Sequence, residues 1–305
     1  FNSIDNQLIN TNSNHFYVNG FFKNGDTKDF ISSGLEKGKK KEFLKNKKPI
    51  GKLSEFVGAY PIVLITPYDT DLIRETSDAR RKFFDGLISQ MNSEYLDVLL
   101  KYKVLIKNRN ALLKDNLKHG RLDDALLQVL TEQLLPLARK INIERTNILA
   151  DFKKEFSIVY RELTSDSEDI EIEFDAEIDT DKISNGFQKC LQKDKILGRT
   201  NFGPHKDDFH FLMNGMSVNK FGSQGQQKSF IIALKLVQFN LKEKARNIKP
   251  ILMLDDFFDR IDKERIENFS KMLQEKKFGQ VFITDSHPER LKNHIKNIEL
   301  TQINV

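Results

Sequence analysis

FGSQGQQK at residues 221–228 runs directly into the helical stretch SFIIALKLVQFNL at 229–241, and PILMLDDFFDRID follows at 250–262. The reading of this pair decides the fold. Ser223, Gly225 and a run of backbone N–H groups stand at a helix start, where unpaired donors and the positive dipole end favour a phosphate. Ile251 to Leu254 are four apolar residues that make a buried strand, and Asp255 and Asp256 close it. In open α/β sheets the carboxyl ends of strands face the ligand. An acid there suits Mg²⁺, and a second acid suits a water to be oriented or deprotonated. The plainer readings are a glycine turn before an amphipathic helix and an acidic pair capping a loop. What favours the nucleotide reading is the order: phosphate-reading helix start, helix, acidic strand, then Asp259 and Asp262 in the following loop.

Outward from this pair, the chain alternates. After Asp262 come a helix at 263–276, the apolar run QVFIT at 280–284 and a short helix after Pro288, the βαβ rhythm of a parallel sheet. PIVLIT at 61–66 reads as another strand of that sheet, buried on both faces. Upstream, HFYVNGFF, the Asn24-Gly25-Asp26 turn, TKDFISSGL and KKEFLKN describe a small antiparallel meander. Between these blocks, apolar residues recur at helical spacing from Asp78 to about Asn116, interrupted only at Asn92 and Ser93. A second helix runs from Leu122 towards Glu162 with a kink expected at Pro136, and His119-Gly120 marks the tip of a helical hairpin. TSDSED at 164–169 closes this arm, IEIEFDAEI at 170–178 returns the chain to a strand, and FHFLMNGMSV forms a hairpin turning at Asn214-Gly215.

The 305 residues can bury a core of their own, and no apolar run approaches the roughly 18 residues that span a bilayer. The single cysteine, Cys190, excludes an internal disulfide framework and points to a reducing, cytoplasmic setting. Net charge is +5, from 49 basic and 44 acidic residues, an ordinary mixed surface. Local clustering says more. Lys37, Lys39, Lys40, Lys41, Lys45, Lys47, Lys48 and Lys52 face only Glu36 and Glu42, so Lys39, Lys40 and Lys41 are candidate contacts to nucleic-acid phosphates, or else a solvated hairpin. Arg80, Arg81 and Arg109, on helical segments, are candidates for the same role or for intrahelical ion pairs.

SQGQQK resembles the signature motif of ABC-type ATPases, and GPHKDD, FGSQGQQK and ILMLDD, in this order, resemble the RecF recombination-repair family. RRKFFD at 80–85 and LLKYKVLIKNRNALLK at 99–114 extend the resemblance over essentially the whole chain. It implies an α/β fold: an ABC-type head with a mixed sheet and a small antiparallel β subdomain, built from 1–90 and 170–305, carrying a helical-hairpin arm at 91–169. It also implies a DNA repair and replication protein that binds ATP and Mg²⁺, forms an ATP-dependent homodimer on duplex DNA and gap junctions, and acts with RecR and RecA pathway proteins. Ser223, Gln224, Gly225 and Gln226 would read the nucleotide of the other subunit. Asp255 would hold Mg²⁺ and Asp256 would be the catalytic acid of its own subunit; Asp262 would match the dimer-interface loop. Thr284 and His287 are the switch candidates.

One departure matters. No GxxGxGK[ST] phosphate loop occurs among these residues, so a preceding strand-loop-helix of about fifty residues is expected to be missing, and this chain by itself is expected to hydrolyse no ATP. An SMC-related DNA-tethering protein with little or no ATPase activity is the alternative. An ABC transporter subunit fits less well, given Asp256 in place of glutamate and the long arm.

Overall fold

Hairpin turns take positive φ at Gly25, Gly38, Asn46, Lys47, Asn214 and Gly215, and Asn92, Asp123, Asp179 and Ser223 cap the helices that follow them. The computed structural model describes residues 5–165, 168–257, 261, 263–275, 277–285, 301 and 303. The chain divides into two units, 1–60 and 61–305.

The first unit is an antiparallel meander of β1 (His15–Asn24), β2 (Thr27–Glu36), β3 (Glu42–Lys45) and β4 (Lys48–Pro49), followed by the single turn α1 (Leu53–Phe56). Asn46 and Lys47 both take positive φ in the two-residue turn from β3 to β4, the left-handed geometry that matches strand twist. Asn46 locks that turn: its Oδ1 accepts from Phe30 N at 2.8 Å and its Nδ2 donates to Asp29 at 2.9 Å. Hydrogen bonds from Tyr60, Lys45 and Asn46 hold the Asp29 carboxyl down at about 2.

The second unit opens on β5 (Ile62–Ile65), passes a single turn α2 (Asp71–Arg74), and enters α3 (Ser77–Met91) and α4 (Ser93–His119). Asn92 separates these two helices because its extended backbone ends one and its Oδ1 accepts from Glu94 N and Tyr95 N to cap the next. Gly120 at φ 65° ends α4, and Asp123 caps α5 (Asp124–Thr164), a helix of 41 residues that continues unbroken through Pro136. Next come β6 (Ile170–Phe174), α6 (Thr180–Leu197), β7 (Phe209–Met213), β8 (Met216–Ser217), the single turn α7 (Val218–Phe221), α8 (Gln224–Arg246), β9 (Ile251–Asp255), α9 (Lys263–Gln274) and β10 (Val281–Thr284).

β9 lies between β10 and β5 in a parallel sheet, while β6, β7 and β8 make a separate antiparallel sheet. The β7–β8 turn is Asn214-Gly215, both at positive φ, as the dipeptide demands. One face of the parallel sheet, Val63, Ile65, Leu252 and Leu254, joins a core with Phe230, Ile231, Leu234, Val237 and Phe239 of α8. Each such side chain contributes roughly 1.5–3 kcal/mol on burial. The expectation that PIVLIT is buried on both faces is corrected: Ile62 is 38% and Leu64 45% exposed, because the strand's alternation turns only Val63 and Ile65 towards that core. A second core forms in the hairpin of α4 and α5 with α6, around Tyr95, Leu99, Tyr102, Leu134, Ile141 and Phe187.

α8 also guards the open edge of the parallel sheet. Lys235 donates to Leu64 O and Lys242 to Ile62 O, each at 2.9 Å, so two carbonyls of β5 on the side where no strand pairs with it among the described residues are satisfied. Burial, with Lys235 nearby, pushes the Lys242 ammonium down to about 8.

His205 is half-buried between Tyr102, whose hydroxyl lies 2.8 Å from its Nδ1, and Thr200 O, 3.1 Å from its Nε2. In the neutral ring with Nε2–H, Nε2 donates to Thr200 O and Nδ1 accepts the tyrosine proton. Burial lowers its pKa from 6.5 to about 4. The folded state therefore binds fewer protons than the unfolded state between these values. The contribution is complete above pH 6.5 and is lost as pH falls towards 4, in total roughly 3 kcal/mol. Urea unfolding at pH 7 and pH 4.5 should show a steeper acid loss for the parent than for His205→Gln; parallel losses would contradict the burial assignment.

Candidate functional site

Ser223 ends the extended turn after α7 and starts α8 with a reciprocal capping box. Its Oγ accepts from Gln226 N at 3.2 Å, and its own N–H donates to Gln226 Oε1 at 2.8 Å. The Ser223 hydroxyl proton has no acceptor among the described residues. In the first turn, the N–H groups of Gln224 and Gly225 precede the point at which intrahelical bonding begins, so they too point outward. Ser223 and Gln224 are exposed. One hydroxyl and two amides thus converge at a positive helix end, the chemistry of an anion cradle.

Two glutamines fix this cradle. Gln227 is buried; its amide nitrogen donates to Val218 O and Gly222 O at 3.2 and 3.0 Å, and its oxygen accepts from Arg74 Nε at 3.0 Å. Gln226 closes the capping box with its oxygen and donates from Nε2 to Glu168 at 2.6 Å. Gly222 is required by packing, since a Cβ there would lie 2.7 Å from Val218 O. Gly225 differs: a Cβ there would meet nothing nearer than Arg265 Nη1 at 3.9 Å, so the subunit's own packing leaves room for a side chain.

At the carboxyl edge of the parallel sheet, Asp255 is the last residue of β9 and stands in register with Thr284 of β10. Thr284 Oγ1 donates to Asp255 Oδ1 at 2.6 Å, and the second oxygen of Asp255 has no bond among the described residues. Asp256 is exposed and takes φ 45°, a left-handed conformation that Asp tolerates better than most side chains and that turns the chain sharply after the strand. Among the described residues no three His, Cys, Asp or Glu side chains gather into a metal cage. A cation at Asp255 would therefore draw its remaining ligands from phosphate oxygens and water, as Mg²⁺ does. No hydrogen bond joins the Ser223 turn to Asp255 or Asp256 among the described residues. Asp262 and His287 lie outside the described residues.

Of the basic candidates, Lys39, Lys40 and Lys41 stand in the exposed turn between β2 and β3, with Lys39 paired to Glu36 at 2.9 Å and Lys41 to Asp5 at 3.2 Å. The arginines are corrected. Arg80 holds Asp208 through two bonds of 2.8 and 2.9 Å, and Arg81 donates to Asp207 O, so both side chains are mostly covered. Arg109 is 0% exposed and is spent on Asp194 at 2.8 Å and Thr200 at 2.7 Å. None of the three presents its guanidinium to a phosphate backbone. What helical spacing could not reveal is that their partners arrive from residues 194–208, about 85 to 130 positions away in sequence.

The same stretch binds a residue absent from the sequence-based list. Arg145, 1% exposed, meets Asp85 through bonds of 2.9 and 3.0 Å and donates to Pro204 O at 2.8 Å, while Tyr95 OH donates to Asp85 at 2.6 Å. Burial pushes the Asp207 carboxyl up even with Arg145 and Arg81 beside it. GPHKDD is thus a clasp that joins α3, α4 and α5.

Comparison with known proteins places this arrangement. No family model matches the chain. It is 37% identical over 301 residues to the DNA replication and repair protein RecF of Flavobacterium johnsoniae, covering 99% of this chain and 84% of that protein. It is 41% identical over 286 residues to the protein of the same name from Cytophaga hutchinsonii, covering 94% and 76%. A solved structure of the recombination mediator protein RecF-ATP in the RecFOR pathway superposes with a TM-score of 0.84 at 28% identity, covering 94% of this chain and 79% of that one.

Removing Asp194 leaves the Arg109 charge buried without a carboxylate. Asp194→Ala is expected to destabilise the protein by about 3–5 kcal/mol, read from denaturant midpoints; a change below about 1 kcal/mol would contradict a dry ion pair.

Proposed function

The chain belongs to the RecF family of DNA replication and repair proteins, and from that membership we propose that it is the body of an ATP-gated DNA clamp whose composite site forms between two copies. The observation that carries this reading is the outward-facing Ser223 turn, whose hydroxyl proton has no acceptor among the described residues and whose first two amides are open.

In this reading each subunit contributes in two ways. Ser223, Gln224 and Gly225 of one copy reach the terminal phosphate of an ATP carried by the other. Gly225 is small because the neighbouring subunit's phosphate, not its own core, needs the space. Asp255, oriented by Thr284, holds Mg²⁺ beside the phosphates of its own subunit's ATP. When bound, the metal offsets the charge that develops on the phosphates. Asp256, exposed just beyond, orients or deprotonates the attacking water. Asp262 is assigned to the dimer interface, and Thr284 and His287 are assigned the switch role. Because the complete site exists only when two copies meet, bound ATP stabilises the dimer by linkage.

The same reading gives the residues between 91 and 169 the role of an arm and assigns DNA contact to the exposed Lys39, Lys40 and Lys41. Contacts of that type are electrostatic and sequence-tolerant. RecR and RecA pathway proteins are the proposed partners at gaps, in the cytoplasm. No described helix is long and apolar enough to cross a membrane.

In the natural protein, Ser223→Arg should abolish ATP-dependent dimers in sedimentation while leaving nucleotide binding by the monomer intact. A normal dimer would remove the trans role. Asp256→Asn should slow hydrolysis by roughly a hundredfold and lengthen the life of the ATP dimer; unchanged turnover would remove Asp256 from the chemistry.

A further inference from the structure

Glu168 stands between the last turn of α5 and the start of β6, and Ser165 before it and Asp169 after it are both pinned. Before it, Ser165 ends α5 at φ 55° and its Oγ accepts from Asn268 Nδ2 at 2.9 Å. After it, Asp169 N donates to Asn214 Oδ1 at 3.0 Å, and Asn214 N donates back to Asp169 O at 2.6 Å. The carboxylate between these anchors is half-buried and takes two neutral donors. Gln226 Nε2 donates to Oε1 at 2.6 Å, and the hydroxyl of Tyr160, a fully buried residue of α5, donates to Oε2.

Gln226 can be oriented in only one way. Its oxygen must face the N–H of Ser223 and its NH₂ must face Glu168; the flipped amide would set donor against donor and acceptor against acceptor. A continuous path therefore runs from Tyr160 in α5 through Glu168 and Gln226 to the backbone of Ser223. A carboxylate, with an oxygen on each side, accepts from both donors at once, and charge-assisted hydrogen bonds make the path stiff.

We propose that Glu168 is a positioning residue for the nucleotide-reading turn: it holds Gln226, and through it Ser223, in register with helix α5, so that movement of the long helix and engagement of the neighbouring subunit's phosphate are coupled. The proposal rests on the trans reading of Ser223 given above. Glu168 touches no nucleotide in this scheme and acts only through Gln226.

The test uses the natural protein with ATP as the probe, and three readouts: dimer formation by sedimentation, monomer nucleotide binding by fluorescence of a labelled ATP, and thermal unfolding. Glu168→Ala should raise the ATP concentration needed for half-maximal dimer about tenfold, with monomer binding unchanged. Glu168→Gln keeps an oxygen for Gln226 and offers its NH₂ to the Tyr160 hydroxyl oxygen, so it should recover most of the loss, which a merely structural defect tracked by unfolding temperature would not reproduce. Should Glu168→Ala fold poorly, Tyr160→Phe removes only the link to α5 and should shift the dimer midpoint in the same direction. The proposal is overturned if Glu168→Ala and Tyr160→Phe dimerise at the parent ATP concentration while Ser223→Arg does not dimerise. If Ser223→Arg also dimerises normally, it is the trans reading itself that fails.

Discussion

Helix α8 is the element on which the rest of the second unit is packed. From Gln227 onward it buries Ser229, Phe230, Ile231, Ile232, Ala233, Leu234, Leu236, Val237, Phe239, Leu241 and Lys242, so it is enclosed on nearly every side. Interiors packed to this density transmit displacement instead of absorbing it. Lys235 and Lys242 bind the helix to the edge of β5, and Arg74 and the α7 carbonyls bind it through Gln227. The position of the Ser223 turn is consequently a property of the whole second unit.

The ionic clasps work on the same principle at a different place. Arg145 with Asp85 and Asp207, Arg109 with Asp194, and Arg80 with Asp208 join α3, α4 and α5 to the segment 194–208. Buried pairs of this kind add little net stability over apolar packing, yet breaking one leaves a costly lone charge. Their value here is directional: bidentate guanidinium contacts hold helices at one angle, where apolar contacts would allow sliding. Since α5 also carries Tyr160, the orientation of the α4–α5 hairpin and the orientation of the Ser223 turn rest on connected parts.

Much of this was legible in the residues themselves. Asn214-Gly215, Asn92 and Gly120 announced a hairpin, a helix break and a helix end, because each depends on local geometry that those side chains uniquely permit. SQGQQK announced an open helix start for the same reason. What pattern could not supply was partnership across distance. Arg80, Arg81 and Arg109 are cations on helices whatever they meet, and only the fold reveals that carboxylates or carbonyls already take them. PIVLIT carries no mark to say that only alternate residues find a core. Glu168 lies in an acidic, serine-rich stretch that reads as loop composition, so its bond to Gln226, 58 residues away, left no signal in the sequence.

The account turns on whether the Ser223 turn serves the neighbouring subunit. Mixing Ser223→Arg subunits with Asp255→Ala subunits of the natural protein asks this directly, with ATP-dependent dimer formation measured by mass photometry. A trans arrangement restores one intact composite site in the mixed dimer, so the mixture should dimerise with ATP although neither variant does alone. If the turn and Asp255 served one subunit's own nucleotide, every subunit in the mixture would carry a broken site, and the mixture would remain as inactive as its components.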